Sequence, residues 1–431
     1  MLSYDVVVVG GGPAGIASAL AAADEGCRVA LLERYGCLGG GITSGYVRPF
    51  LGVVNNPNIG VEIRERIAAL EDFMSPVEAA KVALAEMLHE RGVDVRLQTE
   101  PVEVMFRDGT SGVPNGDSVA CRKRIAGIRA VSKGREYEFT GAAYIDATGD
   151  GDLAAMAGAR CEYGREGDRL VQPTSIMFTI EGIDPSIDWC ICHEEDWHTL
   201  PDGREFLDIC HKACESGELP PSINIVRLYA TGRVGERMVN ATQANHVNPL
   251  EPTEIFAAEV ELRRQVRIVV EFLRRNIPGF EHIRVNGSAT TLGARESRRI
   301  IGDYILTDND LIVGARFDDA IVHRANFSID IHNPDGAGQA ERNGRPYLCQ
   351  DYDIPYRSLT PLGFDNLLCA GRNISGDHRA HASYRVMNIC MAMGHAAGLA
   401  AADMSKHRRS SRDVDIRAIQ KKLGIVKPDV D

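Results

Sequence analysis

The sequence lacks several features that would place it in a large class of proteins. No apolar run among its 431 residues is long enough to cross a membrane, and a strand-like segment begins where a secretory signal would stand. Acidic residues outnumber basic ones by 60 to 48, which gives a net charge of -12. That charge disfavours broad binding to nucleic acids or to anionic membranes. These absences predict a protein that binds neither.

The cysteines form no paired redox or metal-binding motif. There are eleven, an odd number, and this usage predicts reduced thiols and a cytoplasmic location. Cys37 has no CxxC partner, so packing is favoured over a redox role. One segment contains residues of the types that bind metals, namely Cys190, Cys192, His193, His198, Cys210, His211 and Cys214. Their spacing fits no common zinc site, and helix packing explains Cys210 and Cys214, so we predict no metal.

The first 33 residues are typical of a strand, a glycine turn, a helix and a second strand. Tyr4–Val9 is rich in β-branched residues, like a strand buried on both faces of a parallel sheet. Gly10 permits a tight turn, Gly12 lets the backbone approach a pyrophosphate, and Gly15 allows close helix packing. Glu33 ends the second strand, at the spacing of an acid that binds a ribose. The predicted dinucleotide-binding residues here are Gly10, Gly12, Pro13, Ala14, Gly15 and Glu33.

A glycine-rich loop and a later turn extend this pattern. Arg34 follows the acid, and the glycines at positions 36 and 39–41 allow a loop to lie flat against a ligand. With the fingerprint, this loop resembles the FAD-binding start of the glutathione-reductase-like flavoprotein superfamily. A buried strand ending in Asp146–Asp150 resembles the second FAD contact of that superfamily. The resemblance implies cofactor contacts at Arg34, Gly39, Gly40, Asp146, Ala147, Thr148, Gly149 and Asp150.

Two later segments resemble the FAD-dependent oxidoreductase family within that superfamily. The first, Gly293–Gly302, contains Arg295, Arg298 and Arg299, which are interpreted either as facing an anionic substrate or as anchoring the cap domain through ion pairs. The second is a Gly-Arg loop with a histidine, followed by an Arg-Val-Met helix. Related sequences commonly have one histidine there, whereas this chain has His378 and His381. The resemblance implies flavin contacts at Gly371, Arg372, Arg385, Met387 and Asn388.

The predicted catalytic residues are His378, His381 and Arg295. His378 aligns with the family histidine, and its alternative role is to tie the loop to a backbone carbonyl. A helix predicted over Ser383–Met404 would direct its N-terminus at the flavin and stabilise negative charge there. An earlier helix is predicted to begin with a capping box over Ser75–Glu78.

These patterns predict an α/β fold built from a Rossmann-like FAD-binding domain with a small antiparallel meander and an inserted α+β cap. The FAD-binding domain would cover residues 1–168 and 345–431, and the cap, which forms the substrate wall, residues 169–344. A second glycine fingerprint is absent, so no separate nicotinamide-binding domain is expected.

The predicted function is an FAD-dependent oxidoreductase that transfers a hydride between a small organic substrate and flavin N5. Three alternatives remain at this stage. An FAD-binding subunit of an electron-transfer complex is one, although iron–sulfur cysteine runs are absent. The others are an FAD-dependent RNA-modifying protein and a plain NAD-dependent dehydrogenase. We expect a small-molecule substrate as partner and leave a homo-oligomer open.

Overall fold

The computed structural model describes residues 2–106, 122–193, 196–340 and 347–425. A predicted surface loop over residues 108–117 lies outside the described residues. A parallel five-stranded sheet organises the chain, in the order β17-β8-β2-β3-β4. Its strands are β2 (Val6–Val9), β3 (Val29–Glu33), β4 (Asp94–Leu97), β8 (Ala143–Asp146) and β17 (Leu367–Cys369). The predicted Rossmann-like α/β class is confirmed.

Two helices pack closely beside this sheet because small residues line their contact. Helix α1 (Pro13–Asp24) follows the glycine turn, and α9 (Met387–His407) lies against it. A Cβ atom on Gly394 of α9 would come within 2.1 Å of the Ala14 carbonyl oxygen. The Ser18 hydroxyl donates to the Gly394 carbonyl at 2.9 Å. Both helices are therefore buried over most of their length, as the alanine-rich sequence requires.

The predicted meander forms a second sheet, in the order β1-β7-β6-β5. Its strands are β1 (Leu2–Ser3), β5 (Glu100–Phe106), β6 (Ile125–Ser132) and β7 (Arg135–Thr140). β5, β6 and β7 pair antiparallel, and β1 joins β7 in parallel.

The cap is an antiparallel sheet in the order β11-β12-β10-β13, with its own hydrophobic core. It contains β10 (Phe178–Glu181), β11 (Arg227–Ala230), β12 (Glu236–Asn240), β13 (Arg284–Ser288), α5 (Phe206–Ser216) and α6 (Pro252–Asn276). The buried hydrophobic residues of this core lie between Ile176 and Ala289. Residues 306–331, which were predicted as cap, place their hydrophobic side chains in the core that contains α1 and α9. The domain boundaries stay a prediction.

Shorter elements connect these parts. The helices are α2 (Gly60–Ala68), α3 (Pro76–Glu90), α4 (Asp152–Met156), α7 (Asp308–Val313), α8 (His378–Tyr384) and α10 (Ile416–Lys422), with a 3-10 turn at Tyr356–Leu359. Strand β9 (Cys161–Tyr163) pairs with β14 (Arg298–Ile300), and β15 (Ala320–Ala325) pairs with β16 (Tyr352–Pro355).

Two local predictions were wrong. Ser75 precedes α3 as expected, but its side chain makes no capping hydrogen bond, and the Glu78 carboxylate instead accepts from Lys81 at 2.7 Å. The helix predicted from Ser383 is two helices, α8 and α9. Val386 interrupts them with an extended backbone (φ -76°, ψ 152°), and the Asp377 carboxylate caps α8 by accepting from the Ala380 amide at 2.7 Å.

Candidate active site

A cavity of about 770 Å³ lies at the carboxyl ends of the parallel strands, where open α/β sheets bind ligands. The sheet side of its wall includes Val9, Leu32, Ala147 and Ala370. The cap side includes Ser175, Met177, Asn240 and residues 291–295. The cavity thus lies between the parallel sheet and the cap.

The glycine turn after β2 leaves space where the sequence predicts a phosphate. Gly10 has a φ of +99°, which glycine adopts without strain. Gly12 lines the cavity, and a Cβ atom on it would meet no protein atom within 4 Å. Gly15 lies outside the lining, and a Cβ atom on it would come within 1.8 Å of the Gly10 carbonyl oxygen. Gly12 therefore faces the ligand space at the N-terminus of α1, whereas Gly15 allows that helix to approach the turn.

Glu33 presents a buried carboxylate to the same end of the cavity. One oxygen accepts from the Gly11 amide at 2.6 Å and the other from the Tyr35 amide at 2.7 Å. Burial raises the pKa of Glu33, although both backbone bonds act against the shift. Each carboxylate oxygen can accept more than one hydrogen bond. The side chain is thus held in place and keeps acceptor capacity towards the cavity.

We expect Glu33→Gln to weaken FAD binding roughly ten- to hundredfold, because a charge-assisted hydrogen bond to the ribose contributes about 1.5–3 kcal/mol. The measurement is the dissociation constant of FAD from the reconstituted apoprotein. Glu103→Gln is the control, since Glu103 is exposed on β5 and lies outside the cavity lining. An unchanged FAD dissociation constant in Glu33→Gln would show that Glu33 does not bind the ribose.

A buried carboxylate also shapes the turn after β8. Asp146 accepts from the Thr148 amide at 3.0 Å, the Thr148 hydroxyl at 2.7 Å and the Ala154 amide at 2.8 Å. Complete burial raises the pKa of Asp146 to about 6. Residues 147–150 line the cavity, but Asp146 does not. Asp146 therefore positions the turn that carries the other predicted contacts.

Asp150 binds two arginines, Arg34 and Arg372, at this turn. Its carboxylate accepts from Arg372 at 2.8 Å, from Ser297 at 2.7 Å and from Arg34 at 3.3 Å. Burial opposes ionisation, but the charge of Arg372 and the bond from Ser297 outweigh it and lower the pKa of Asp150. This network brings Arg34, Arg372 and the Ser297 segment to one wall of the cavity.

Some of the predicted cofactor-binding residues after β17 line the cavity, and others do not. Gly371, Arg372, Arg385 and Met387 line the cavity. Asn388 and Gly39 lie outside the lining, whereas Gly40 is part of it. The Asn388 amide donates to the carbonyls of Phe50 and Gly52, each at 2.8 Å. The helix N-terminus at the cavity belongs to α9 at Met387, and not to a helix that starts at Ser383.

Neither predicted catalytic histidine lines the cavity. His378 is partly buried, and its Nδ1 lies 2.8 Å from the Glu296 carboxylate. His381 is wholly buried, and its ring packs edge-to-face on Tyr384 at 5.4 Å. Burial, with the positive charge of Arg299, lowers the pKa of His381 well below its ordinary value. Their catalytic roles stay predictions without a contact to the cavity.

Arg295 does line the cavity, together with two residues that the sequence analysis missed, Asp330 and His332. Their segment alternates, since Ile329 and Ile331 lie in the core while Asp330 and His332 face the cavity. Alternation with period two indicates an extended segment with one buried face, and this signal could have identified Asp330 and His332. The short segment carries no recognisable motif.

His332 is neutral in this environment at neutral pH. Its Nε2 lies 3.5 Å from the Asp330 carboxylate. Burial and the positive charge of Arg295 lower the pKa of His332 to about 4, although Asp330 acts in the opposite direction. Burial disfavours the charged form of Asp330 as well, but the adjacent His332 and the arginines Arg385 and Arg227 keep its pKa below the ordinary value. The pair is therefore a carboxylate beside a neutral imidazole.

No group of three or more His, Cys, Asp or Glu side chains among the described residues is arranged to hold a metal ion. None of their helices is both long and apolar enough to cross a membrane.

No curated protein matches the chain. A geranylgeranyl bacteriochlorophyll reductase-like protein from Thermoplasma acidophilum aligns at 14% identity, over 99% of this chain and 83% of that one, with a TM-score of 0.44. The p-nitrophenol 4-monooxygenase PnpA from Pseudomonas putida DLL-E4 aligns at 13% identity, over 96% and 83% of the two chains, with a TM-score of 0.46. The family described as "FAD dependent oxidoreductase" matches residues 5–423 of this chain. The chain therefore belongs to the FAD-dependent oxidoreductase family and is an FAD-dependent enzyme.

Proposed function

We propose that this enzyme transfers a hydride between a small organic substrate and N5 of its FAD. The observation that supports this proposal is the extent of the cavity. It runs from Gly12, at the glycine turn, to Asn240 and Arg295 at the cap. A dinucleotide and a small substrate would therefore share one space.

The residues present fit FAD. Gly12 leaves open the position that a side chain would fill, and Glu33 offers acceptors beside it. These groups and the N-terminus of α1 would hold the ADP half, while Gly371, Arg372 and Met387 would border the remainder. When bound, FAD supplies a ring that accepts or gives a hydride, and the chain supplies orientation and electrostatics.

We assign the accompanying proton to His332. When an alcohol or amine is oxidised, its carbon loses a hydride and its oxygen or nitrogen loses a proton, and a double bond forms. A neutral imidazole that faces the cavity accepts that proton, and the charged imidazole returns it in the reverse direction. The Asp330 carboxylate, 3.5 Å away, stabilises the charged ring.

The test is anaerobic reduction of the FAD-bound enzyme by a panel of alcohols, hydroxy acids, amines and sugars, with enones as oxidants of the reduced enzyme. We expect one class to react in a single two-electron step that slows when the transferred hydrogen is deuterium. Enzyme reconstituted with 5-deaza-FAD, which accepts hydrides but not single electrons, should still react. Reaction of the normal enzyme but not of the 5-deaza form would contradict hydride transfer.

His332→Gln should slow flavin reduction by roughly 10²- to 10⁴-fold, the usual contribution of a general base. FAD content should be unchanged. The measurement is stopped-flow reduction at saturating substrate, with His211→Gln as control because His211 is exposed on α5, within the cap.

The pH dependence provides a second readout of the same prediction. Since the pKa of His332 is lowered to about 4, the reduction rate of the wild type should hold from neutral pH downwards and fall only as the pH drops through about 4. The charged groups around this ring are Asp330, Arg295 and Arg227. A decline centred near 6.5, the ordinary histidine pKa, would contradict the assignment to a buried His332.

A further inference from the structure

The cap end of the cavity holds an arginine whose charge is not matched by a carboxylate. Arg295 Nη1 donates to the Pro173 carbonyl oxygen at 2.6 Å. Within residues 2–106, 122–193, 196–340 and 347–425, its side chain forms no salt bridge. It borders the cavity in the partly exposed segment 291–295. Two arginines of this segment form ion pairs, Arg298 with Asp152 and Arg299 with Glu296, whereas Arg295 forms none among the described residues.

The carboxylate of Asp330, which lines the same end of the cavity, is already engaged. Asp330 lies 3.4 Å from Arg385 Nη2 and 3.5 Å from His332 Nε2, and its second oxygen accepts from the Gln339 amide at 2.6 Å. Among the described side chains that line this end of the cavity, Arg295 and Arg385 carry positive charge and Asp330 is the carboxylate. The described lining at this end therefore has an excess of positive charge.

Burial makes the unmatched charge of Arg295 costly. Burial lowers the pKa of Arg295 to about 9, with the charge of Arg385 acting in the same direction, so the side chain stays charged at neutral pH. A charge removed from water costs free energy until an opposite charge pairs with it. The other lining side chains here, Ser175, Met177 and Asn240, are neutral. A planar guanidinium with free donors matches a carboxylate with two hydrogen bonds.

We infer that Arg295 binds the carboxylate of the substrate, so that the substrates are small organic acids. This inference rests on the proposed function, which places a substrate at the cap end. Arg295 would fix the acid group, and the carbon to be oxidised would lie between it and His332. The pyrophosphate of FAD belongs to the opposite end, near Gly12. The competing role for Arg295 is stabilisation of the anionic reduced flavin.

The first experiment needs no variant and no turnover. FAD-bound enzyme is titrated with matched pairs at constant ionic strength: benzoate with benzamide, 2-hydroxybutyrate with its amide, and succinate with succinamide. Binding is read from the flavin absorption spectrum and by calorimetry. We expect at least one acid to bind roughly ten- to a hundredfold more tightly than its amide, as for a hydrogen bond to a charged group. Equal affinities, or no binding of any acid, would overturn the inference.

The second experiment assigns the site. Arg295→Gln should lose that preference, and Arg295→Lys should retain part of it because it keeps the charge without the planar fork. Arg267→Gln removes the same charge from an exposed position on α6 and should bind acids like the wild type. FAD content and thermal midpoint verify folding. If Arg295→Gln keeps the preference while the flavin reduction potential shifts, the residue serves the reduced flavin and the inference fails.

The two proposals fail in different ways. If acids bind through Arg295 but no compound reduces the flavin, hydride transfer is wrong and the anion site stands. If a neutral alcohol or amine reduces the flavin at the same rate in wild type and Arg295→Gln, hydride transfer stands and the acid class is wrong.

Discussion

Gly12→Val is expected to fold normally and to be purified with little or no FAD. The backbone at Gly12 (φ -79°, ψ -174°) is one that valine adopts, and no protein atom lies within 4 Å of the added Cβ. The side chain would instead occupy the cavity where the pyrophosphate meets the N-terminus of α1. Loss of two charge-assisted hydrogen bonds corresponds to FAD binding that is roughly 10²- to 10⁴-fold weaker.

The measurement is the FAD dissociation constant by fluorescence, with circular dichroism of the apoprotein to verify folding. Gly36→Val is the matched control. Gly36 is exposed and lies outside the cavity lining, and a Cβ atom there would meet only the Gln98 side chain, at 3.5 Å. A Gly12→Val protein that stays yellow and fully loaded would show that the phosphates do not pass this turn.

Glu296→Gln is expected to destabilise the protein by about 3–5 kcal/mol. The Glu296 carboxylate pairs with Arg299, accepts from the backbone amide of Gln172 at 3.1 Å and lies 2.8 Å from His378 Nδ1. Glu296 and Arg299 are almost completely buried, so a neutral side chain would leave the guanidinium without its counter-charge. Two carbonyls, those of Gly376 and Gly164, would still accept from Arg299, which neither removes nor balances the charge.

The free energy of unfolding should be measured in urea with FAD in constant excess, because FAD binding itself stabilises the folded state. Glu259→Gln is the control. Its pair with Arg263, at 2.8 Å on α6, is partly exposed and should contribute about 0–1 kcal/mol. Adding Arg299→Met to Glu296→Gln should recover part of the loss, because it removes the unpaired charge. Equal effects of Glu296→Gln and Glu259→Gln would contradict this account.

His378, a predicted catalytic residue, contacts the Glu296 carboxylate of this buried pair. The family resemblance implies a catalytic histidine at that position, whereas the ring of His378 contacts Glu296 and lies outside the cavity lining. The catalytic role and the alternative, a tie to a backbone carbonyl, both stay predictions. His332, from a segment that carries no motif, is the histidine that reaches the cavity.

Local sequence determined the features whose cause lies within a few residues. Dihedral preference and hydrophobic period specify β2, the glycine turn, α1 and β3, and the fold class and FAD follow from that unit. Glu33 could be identified because chain spacing alone puts it at the end of β3.

Tertiary structure decided the features that depend on distant segments meeting. Asp330, His332 and Arg295 line one cavity because segments that are distant in the sequence meet there, and no local preference encodes that meeting. The break at Val386 likewise separates α8 from α9, although the small, helix-favouring residues around it predict one helix. Local rules describe which backbone each segment prefers. The packing of segments that are distant in the sequence decides which side chains share the cavity, and therefore which of them can act.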